Sequence, residues 1–237
     1  PHDPPMLSLS KVNNLEDMSK FLAKNSQQNI LVEPKLDGTA LVLHYENGKL
    51  SLAATRGDGQ YGEDMTSRVF KHQPQGVPFK VPYNGYFQVR GELYMTHEDL
   101  EKTNQVRQQW EDDYLSLRNR KPRNTWDYPL LKNARNGVSG AFRADNEDKV
   151  SRDKDNNAIS IPAPKAFMRF AVYDVILEDS SSVSYSGDLD WIEEIGFTTA
   201  RSLIPEGVKK ETDPIAILQG LEAHRSVLPY PIDGCVF

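Results

Sequence analysis

Apolar and polar positions fall into two rhythms along this chain of 237 residues. Leu15, Met18, Phe21 and Leu22 recur at helical spacing, with Asn13 or Asn14 placed to cap the start. Gln27–Glu33 is rich in apolar residues and reads as a strand leading into Lys35. Thr39–Tyr45 and Lys49–Thr55 flank Glu46-Asn47-Gly48, and Asn-Gly between apolar runs predicts a hairpin. A short helix is expected after Gly62-Glu63-Asp64-Met65-Thr66, and a strand over Tyr86–Met95. Thr96 to Trp110 reads as a helix with Thr96 as cap and acidic residues in its first turn. Arg118–Pro129 and Asp145–Asn157 read as exposed segments, and Phe167–Leu177 as a buried strand. Asp188–Ile195 and Asp213–Ala223 read as helices, the second with Asp213 as cap and Pro214 in its first turn. No internal repeat or low-complexity tract interrupts this order.

Composition narrows the class. Hydrophobic residues make up 38% and mean hydropathy is −0.61, which suits a globular domain with a substantial core. No run approaches the ~18 apolar residues of a membrane span. Cys235 is the sole cysteine, which excludes an intrachain disulfide or cysteine-rich zinc site and agrees with a reducing, cytoplasmic setting. A net charge of −6 does not favour a polyanion on bulk electrostatics, so any nucleic acid needs a local basic surface or another domain. The chain opens on Pro1 and stops at Gly234-Cys235-Val236-Phe237, an apolar run that reads as a strand in progress. These ends are those expected of a piece or a trimmed product.

The candidate chemistry lies in two runs. Glu33-Pro34-Lys35-Leu36-Asp37-Gly38 offers a lysine nucleophile with a carboxylate two positions on and a glycine that admits a phosphate. Attack on phosphorus needs a neutral amine, whereas a lysine ordinarily titrates at ~10.4. Desolvation and cations such as Arg56 favour the neutral form, and Asp37 is suited to orienting the amine or accepting its proton. Ala54-Thr55-Arg56-Gly57-Asp58-Gly59 places an arginine at a glycine-rich turn whose N–H groups could receive anionic oxygens. The two runs together point to covalent nucleotidyl transfer. Further along, Arg90-Gly91-Glu92 offers a carboxylate for ribose hydroxyls. Arg135 and Arg143 stand around small residues, in a solvated loop or as phosphate-binding guanidinium forks. Tyr173 is more often a core residue than a stacking platform. Asp233 in Ile232-Asp233-Gly234 suits magnesium or the lysine. The histidines His2, His44, His72, His97 and His224 have no metal-ligand spacing.

Nearly the whole chain resembles the adenylation (nucleotidyltransferase) domain of NAD-dependent DNA ligases. Pro5-Met6-Leu7-Ser8-Leu9 resembles the segment that opens that domain, and Lys35-Leu36-Asp37-Gly38 its lysine motif. The stretch from Ala54 to Thr66 resembles what separates the NAD-using branch from ATP-using ligases and capping enzymes. Val89-Arg90-Gly91-Glu92, Asn136 with its flanking arginines, Tyr173 and Ile232-Asp233-Gly234 follow in order. The resemblance implies an α+β nucleotidyltransferase fold, ATP-grasp-like, of antiparallel sheets with flanking helices around a nucleotide cleft. It implies that Lys35 takes AMP from NAD, releasing nicotinamide mononucleotide (NMN), with Mg²⁺ neutralising phosphate charge. AMP then passes to the 5′-phosphate of a nick in double-stranded DNA, which the 3′-hydroxyl seals. Glu33, Ser8, Leu9, Leu36, Gly38, Val236 and Tyr173 would frame the nucleotide, with the Tyr173 ring on adenine. Glu92 and Arg56 would contact ribose, and Asp37 and Asp233 would support lysine or magnesium. Arg135 and Arg143 would meet phosphates of AMP or DNA.

Ala134 stands where the family has proline, and Gly137-Val138-Ser139 where it has an alanine- and serine-rich stretch. Met95–Lys132 is long, which suggests an insertion at the rim. The NMN-binding domain, the OB-fold, the zinc, helix-hairpin-helix and BRCT parts and a lysine-bearing strand after Phe237 are not in the sequence. A trimmed chain, or a ligase split over two polypeptides as in some phages, fits that pattern. Two alternatives stay open: an ATP-dependent ligase or capping-type enzyme, and an incomplete subunit completed by a second polypeptide.

Overall fold

The structure is a computed structural model that describes residues 1–6, 12, 14–118, 128–143, 148–153, 155–178 and 184–237. Its first long-range element is the hairpin of β2 (Thr39–Glu46) and β3 (Lys49–Thr55). Asn47 and Gly48 both take positive φ, 52° and 73°, the backbone of the tight turn that Asn-Gly favours. β4 (Phe87–Tyr94) pairs with β2, and β7 (Arg169–Leu177) with β4, giving a four-stranded antiparallel sheet of order β3-β2-β4-β7. Leu41, Val42 and Leu43 of β2 are completely buried, because both faces of this sheet are covered.

One covering element is α4 (Ala134–Arg143), expected as a solvated loop. It is a helix because Ala134, Val138, Ala141 and Phe142 form one apolar face on the main core. Asn133 Oδ1 accepts the Asn136 N–H at 2.9 Å and caps its start. α2 (Thr66–His72) packs beside β3, and α5 (Tyr185–Glu194) beside β7. Trp191 of α5 meets Phe87 edge-on, with ring centroids 5.2 Å apart.

The helix expected over Thr96–Trp110 runs further, as α3 (His97–Arg118). Thr96 and Asp99 cap its start reciprocally, each side chain accepting the other's N–H at 3.0 Å. Beyond the main core, Trp110 and Tyr114 of α3 join Tyr128, Ile161 and Ala163 in a satellite cluster. Ile161 belongs to a hairpin of β5 (Lys149–Arg152) and β6 (Ala158–Ile161), within and beside the segment expected to be merely exposed. Residues 119–127 of the expected basic loop lie outside the described residues.

A second, two-stranded sheet carries the lysine. β1 (Glu33–Leu36) pairs antiparallel with β8 (Ile232–Val236). The strand expected over Gln27–Glu33 therefore begins where that reading ended, since pairing with β8 starts only at Glu33. α1 (Leu15–Lys24) precedes it, with Asn14 as cap. A 3-10 turn (Arg201–Leu203), α6 (Glu206–Lys209) and α7 (Pro214–His224) lead into β8. Asp213 Oδ1 caps α7 through the Ile215 N–H at 3.1 Å. Among the described residues, no helix is long and apolar enough to cross a membrane.

Candidate active site

Two β-bulges aim side chains at the junction of the sheets. In β8, Lys35 stands opposite Gly234 and Leu36 opposite Ile232, so Asp233 is the extra residue. In β7, Arg90 faces Asp174 and Gly91 faces Val172, which makes Tyr173 the extra residue. Bulges of this kind re-aim a side chain out of the ladder. Gly38 links β1 to β2, where a Cβ would lie 2.1 Å from the Leu93 carbonyl oxygen; only glycine lets the lysine strand run this close to β4.

Lys35 Nζ donates to both oxygens of Asp233 at 2.7 Å. Asp37 faces the other way, with its Oδ1 3.0 Å from Arg135 Nε. Of the two carboxylates expected to support the lysine, Asp233 is the one hydrogen-bonded to it, while Asp37 pairs with Arg135. Glu92 lies within electrostatic reach of Lys35, Asp233 and Asp37, and accepts the Gly38 N–H. Burial pushes its carboxyl up to about 7.

Glu33, one rung from Lys35, is 3% exposed. Burial likewise pushes it up to about 7, against the pull of the Tyr185 hydroxyl and of the Arg201 N–H and guanidinium. Tyr185 Oη stands 2.9 Å from Glu33 Oε2 and also reaches the Tyr173 carbonyl oxygen. Burial raises the Tyr173 phenol, with Glu92 and Asp174 reinforcing and Arg90 and Arg56 opposing. The charge of Arg56 is thus felt at the Tyr173 phenol. Val236 is the ladder partner of Glu33, and Leu36 is buried against Tyr94, Tyr230 and Ile232.

One expectation needs correction and another falls outside the described residues. The turn at Arg56–Gly59 spends its amides internally: Gly59 N–H on Arg56 O, Asp58 N–H on Tyr61 O, and Gln60 and Tyr61 N–H on Asp58 Oδ1. Those three amides and the Gly59 N–H are not offered to an anion. Arg143 ends α4, about 12 Å along the helix from Arg135, and is exposed to solvent. Ser8 and Leu9 lie outside the described residues.

Beside Asp37 and Arg135 opens a cleft of about 430 Å³, lined also by His97, Lys132 and Pro231. Its lining joins Asp37, just after β1, to the start of α4. Among the described residues, no three His, Cys, Asp or Glu side chains converge as a metal cage. The acidic oxygens nearest the lysine are already engaged by Lys35 and Arg135. A cation here has no protein cage to enter.

A family profile described as the NAD-dependent DNA ligase adenylation domain matches residues 1–237. The chain belongs to that family. It is 34% identical over 235 residues to "DNA ligase 2" of Pseudarthrobacter chlorophenolicus, covering 99% of this chain and 28% of that protein. It is 32% identical over 247 residues to a DNA ligase of Rhodopseudomonas palustris, covering 100% of this chain and 27% of the relative. A DNA ligase of Oceanobacillus iheyensis is 31% identical over 243 residues, with 99% and 31% covered. The adenylation domain thus spans under a third of the relatives it matches. Its mixed helices and antiparallel sheets agree with the α+β class expected.

Reading the adenylation-domain sequence missed Tyr185 and Arg201. Tyr185 follows Ser184 in a serine-rich stretch, and nothing in its neighbourhood signals a contact with Glu33, 152 positions earlier. Arg90 was noticed only as part of a charged strand motif. Its guanidinium in fact binds the Pro4 and Pro5 carbonyl oxygens and lies 3.6 Å from Asp174, fastening the N-terminal segment under the sheet.

Proposed function

We propose that this chain performs the first step of an NAD-dependent DNA ligase. Lys35 Nζ attacks the adenylyl phosphorus of NAD. The N–P bond forms as the bridging P–O bond breaks, and NMN leaves with the bonding pair. Asp233, at 2.7 Å from the amine, is the group positioned to take the proton. Tyr173 and Glu33 hold the base, Glu92 and Arg56 the ribose, and Arg135 the phosphate as it loosens from Asp37. The single observation that carries this reading is the amine of Lys35 held by Asp233 at 2.7 Å, with the buried carboxyl of Glu92 within its electrostatic reach.

Magnesium, if bound, would be held chiefly by the nucleotide's phosphates and would supply charge neutralisation there, as Mg²⁺ favours such settings over an all-protein cage. No step above is routed through it. AMP then passes to the 5′-phosphate of a nicked duplex. With a net charge of −6, the adenylation domain leaves most of the grip on DNA to the remaining length of a ligase. The relatives hold the matching segment within single chains, which favours a single polypeptide over a split enzyme. A cytoplasmic site of action follows from the chemistry of NAD and DNA.

Incubation of the protein with adenylate-labelled NAD is expected to leave an acid-labile label on Lys35. Labelling that persists in Lys35→Ala, or none in the wild type, overturns the proposal. Labelling by ATP instead would reassign the donor.

A further inference from the structure

Tyr185 is an unassigned group at the base subsite, and its hydrogen bonds contain more information than their lengths. A phenol carries one proton. Its oxygen here reaches both Glu33 Oε2 and the Tyr173 carbonyl oxygen. An ionised Glu33 and a backbone carbonyl can both only accept, and one phenol proton cannot serve two acceptors; with Glu33 neutral, that proton goes to Tyr173 O. The contact with Glu33 then closes as a full hydrogen bond only when the carboxyl carries a proton on Oε2 and donates it to Tyr185. The other oxygen, Oε1, is buried and has no hydrogen-bond partner among the described residues.

We propose that Tyr185 is a positioning residue for base selection: it pins the Glu33 proton on Oε2 and leaves Oε1 an obligate acceptor. A 6-aminopurine then donates its exocyclic N–H to Oε1. A 6-oxopurine brings a second acceptor to the same point and leaves two buried oxygens unsatisfied. Without the phenol, a neutral Glu33 is free to carry its proton on either oxygen and can serve both bases. The inference rests on the base lying against Glu33, as proposed above. The burial that keeps this carboxyl neutral up to about 7 supports it. The other groups facing Glu33 are Arg201 on the 3-10 turn, which favours ionisation, and Asp174 on β7, which opposes it. Its ladder partner Val236 is apolar.

The test compares binding of AMP with inosine 5′-monophosphate, the 6-oxo counterpart, by calorimetry at pH 6 and pH 8.5. Wild type is expected to favour AMP about ten- to hundredfold at both. Tyr185→Phe keeps the ring and is expected to lose the preference at pH 6. It regains it at pH 8.5, where a carboxylate can only accept. A general structural defect would not restore discrimination at the higher pH. Glu33→Gln gives an independent reading. Its amide donates to Tyr185 and keeps Oε1 outward, so the AMP preference persists at both pH values. Should Tyr185 instead donate to residue 33, the amide turns its NH₂ outward and the variant prefers the inosine nucleotide, which overturns the inference. Tyr185→Phe with wild-type preference at both pH values, or AMP bound by wild type without preference, also overturns it. Failure of wild type to bind AMP defeats the reading of the site itself, and this inference with it.

Discussion

The four-stranded sheet and the β1–β8 ribbon are built from opposite materials. In the sheet, β2 runs seven paired residues alongside β4, and its Leu41, Val42 and Leu43 are fully buried. The ribbon has four pairs interrupted by a bulge, and among its few residues stand Glu33, Lys35 and Asp233. An apolar sheet covered on both faces cannot host ionised groups without heavy desolvation cost. A short pair fastened to its edge can, because one side borders the core and the other opens to a ligand. The ribbon carries Lys35 and Asp233, while the sheet supplies the fixed positions of Glu92 on β4 and Tyr173 on β7 beside them.

Substitutions that strike one sheet and spare the other test that division. The largest effect belongs to the sheet: Leu41→Ala is expected to cost about 2–5 kcal/mol of stability. Denaturant unfolding measures this, while the rate of lysyl-AMP formation per folded molecule stays near wild type. Loss of the rate with little loss of stability would show that the two sheets are not separate. In the ribbon, Asp233→Asn keeps the shape but weakens the proton acceptor. It should slow adduct formation by about a hundredfold, read by quenched-flow labelling. Its unfolding midpoint should barely move, because a half-exposed ion pair contributes about 0–1 kcal/mol.

Acidity separates a core histidine from the site carboxyls next. His72 packs its ring near Phe142 of α4, its Nδ1 accepts the Ala166 N–H at 3.1 Å, and burial holds it down to about 4. Its contribution is whole above the unfolded value near 6.5 and is lost as pH falls through about 4. Glu33 and Glu92 slope the other way. Both are raised to about 7, so their contribution is whole below the unfolded value near 4.5 and is lost as pH rises through 7. Glu33→Gln is therefore expected to raise stability at pH 8 by about 1–2 kcal/mol and to leave it unchanged at pH 5. Thermal melts of wild type and variant at the two pH values check this. The smallest effect is that of Arg135→Ala: its pair with Asp37 has a 63% exposed arginine, so unfolding should shift by less than about 1 kcal/mol.

The sheet was largely legible in the sequence, and the site only in part. Asn47-Gly48, Asp213-Pro214 and Thr96 act through their immediate neighbours, so local pattern sufficed. The lysine strand was placed too early because Ile30, Leu31 and Val32 look like a strand but lack a partner; pairing depended on residues 232–236. α4 was concealed by Gly137 and Gly140, whose poor helix propensity is overridden by burial of Val138, Ala141 and Phe142. Lys35, Glu92 and Tyr173 were legible through their motifs. The pairing of Asp37 with Arg135 was not, nor was Tyr185, because such contacts exist only once the chain has folded back on itself.

Lys35 and its counter-ion are separated by 198 positions. A ribosome must add all of them before the amine meets Asp233, and the loop this contact closes is among the costliest to bring together. The lysine thus meets its counter-ion only in a chain synthesised through residue 233. A nascent chain already displaying its lysine remains chemically idle until then.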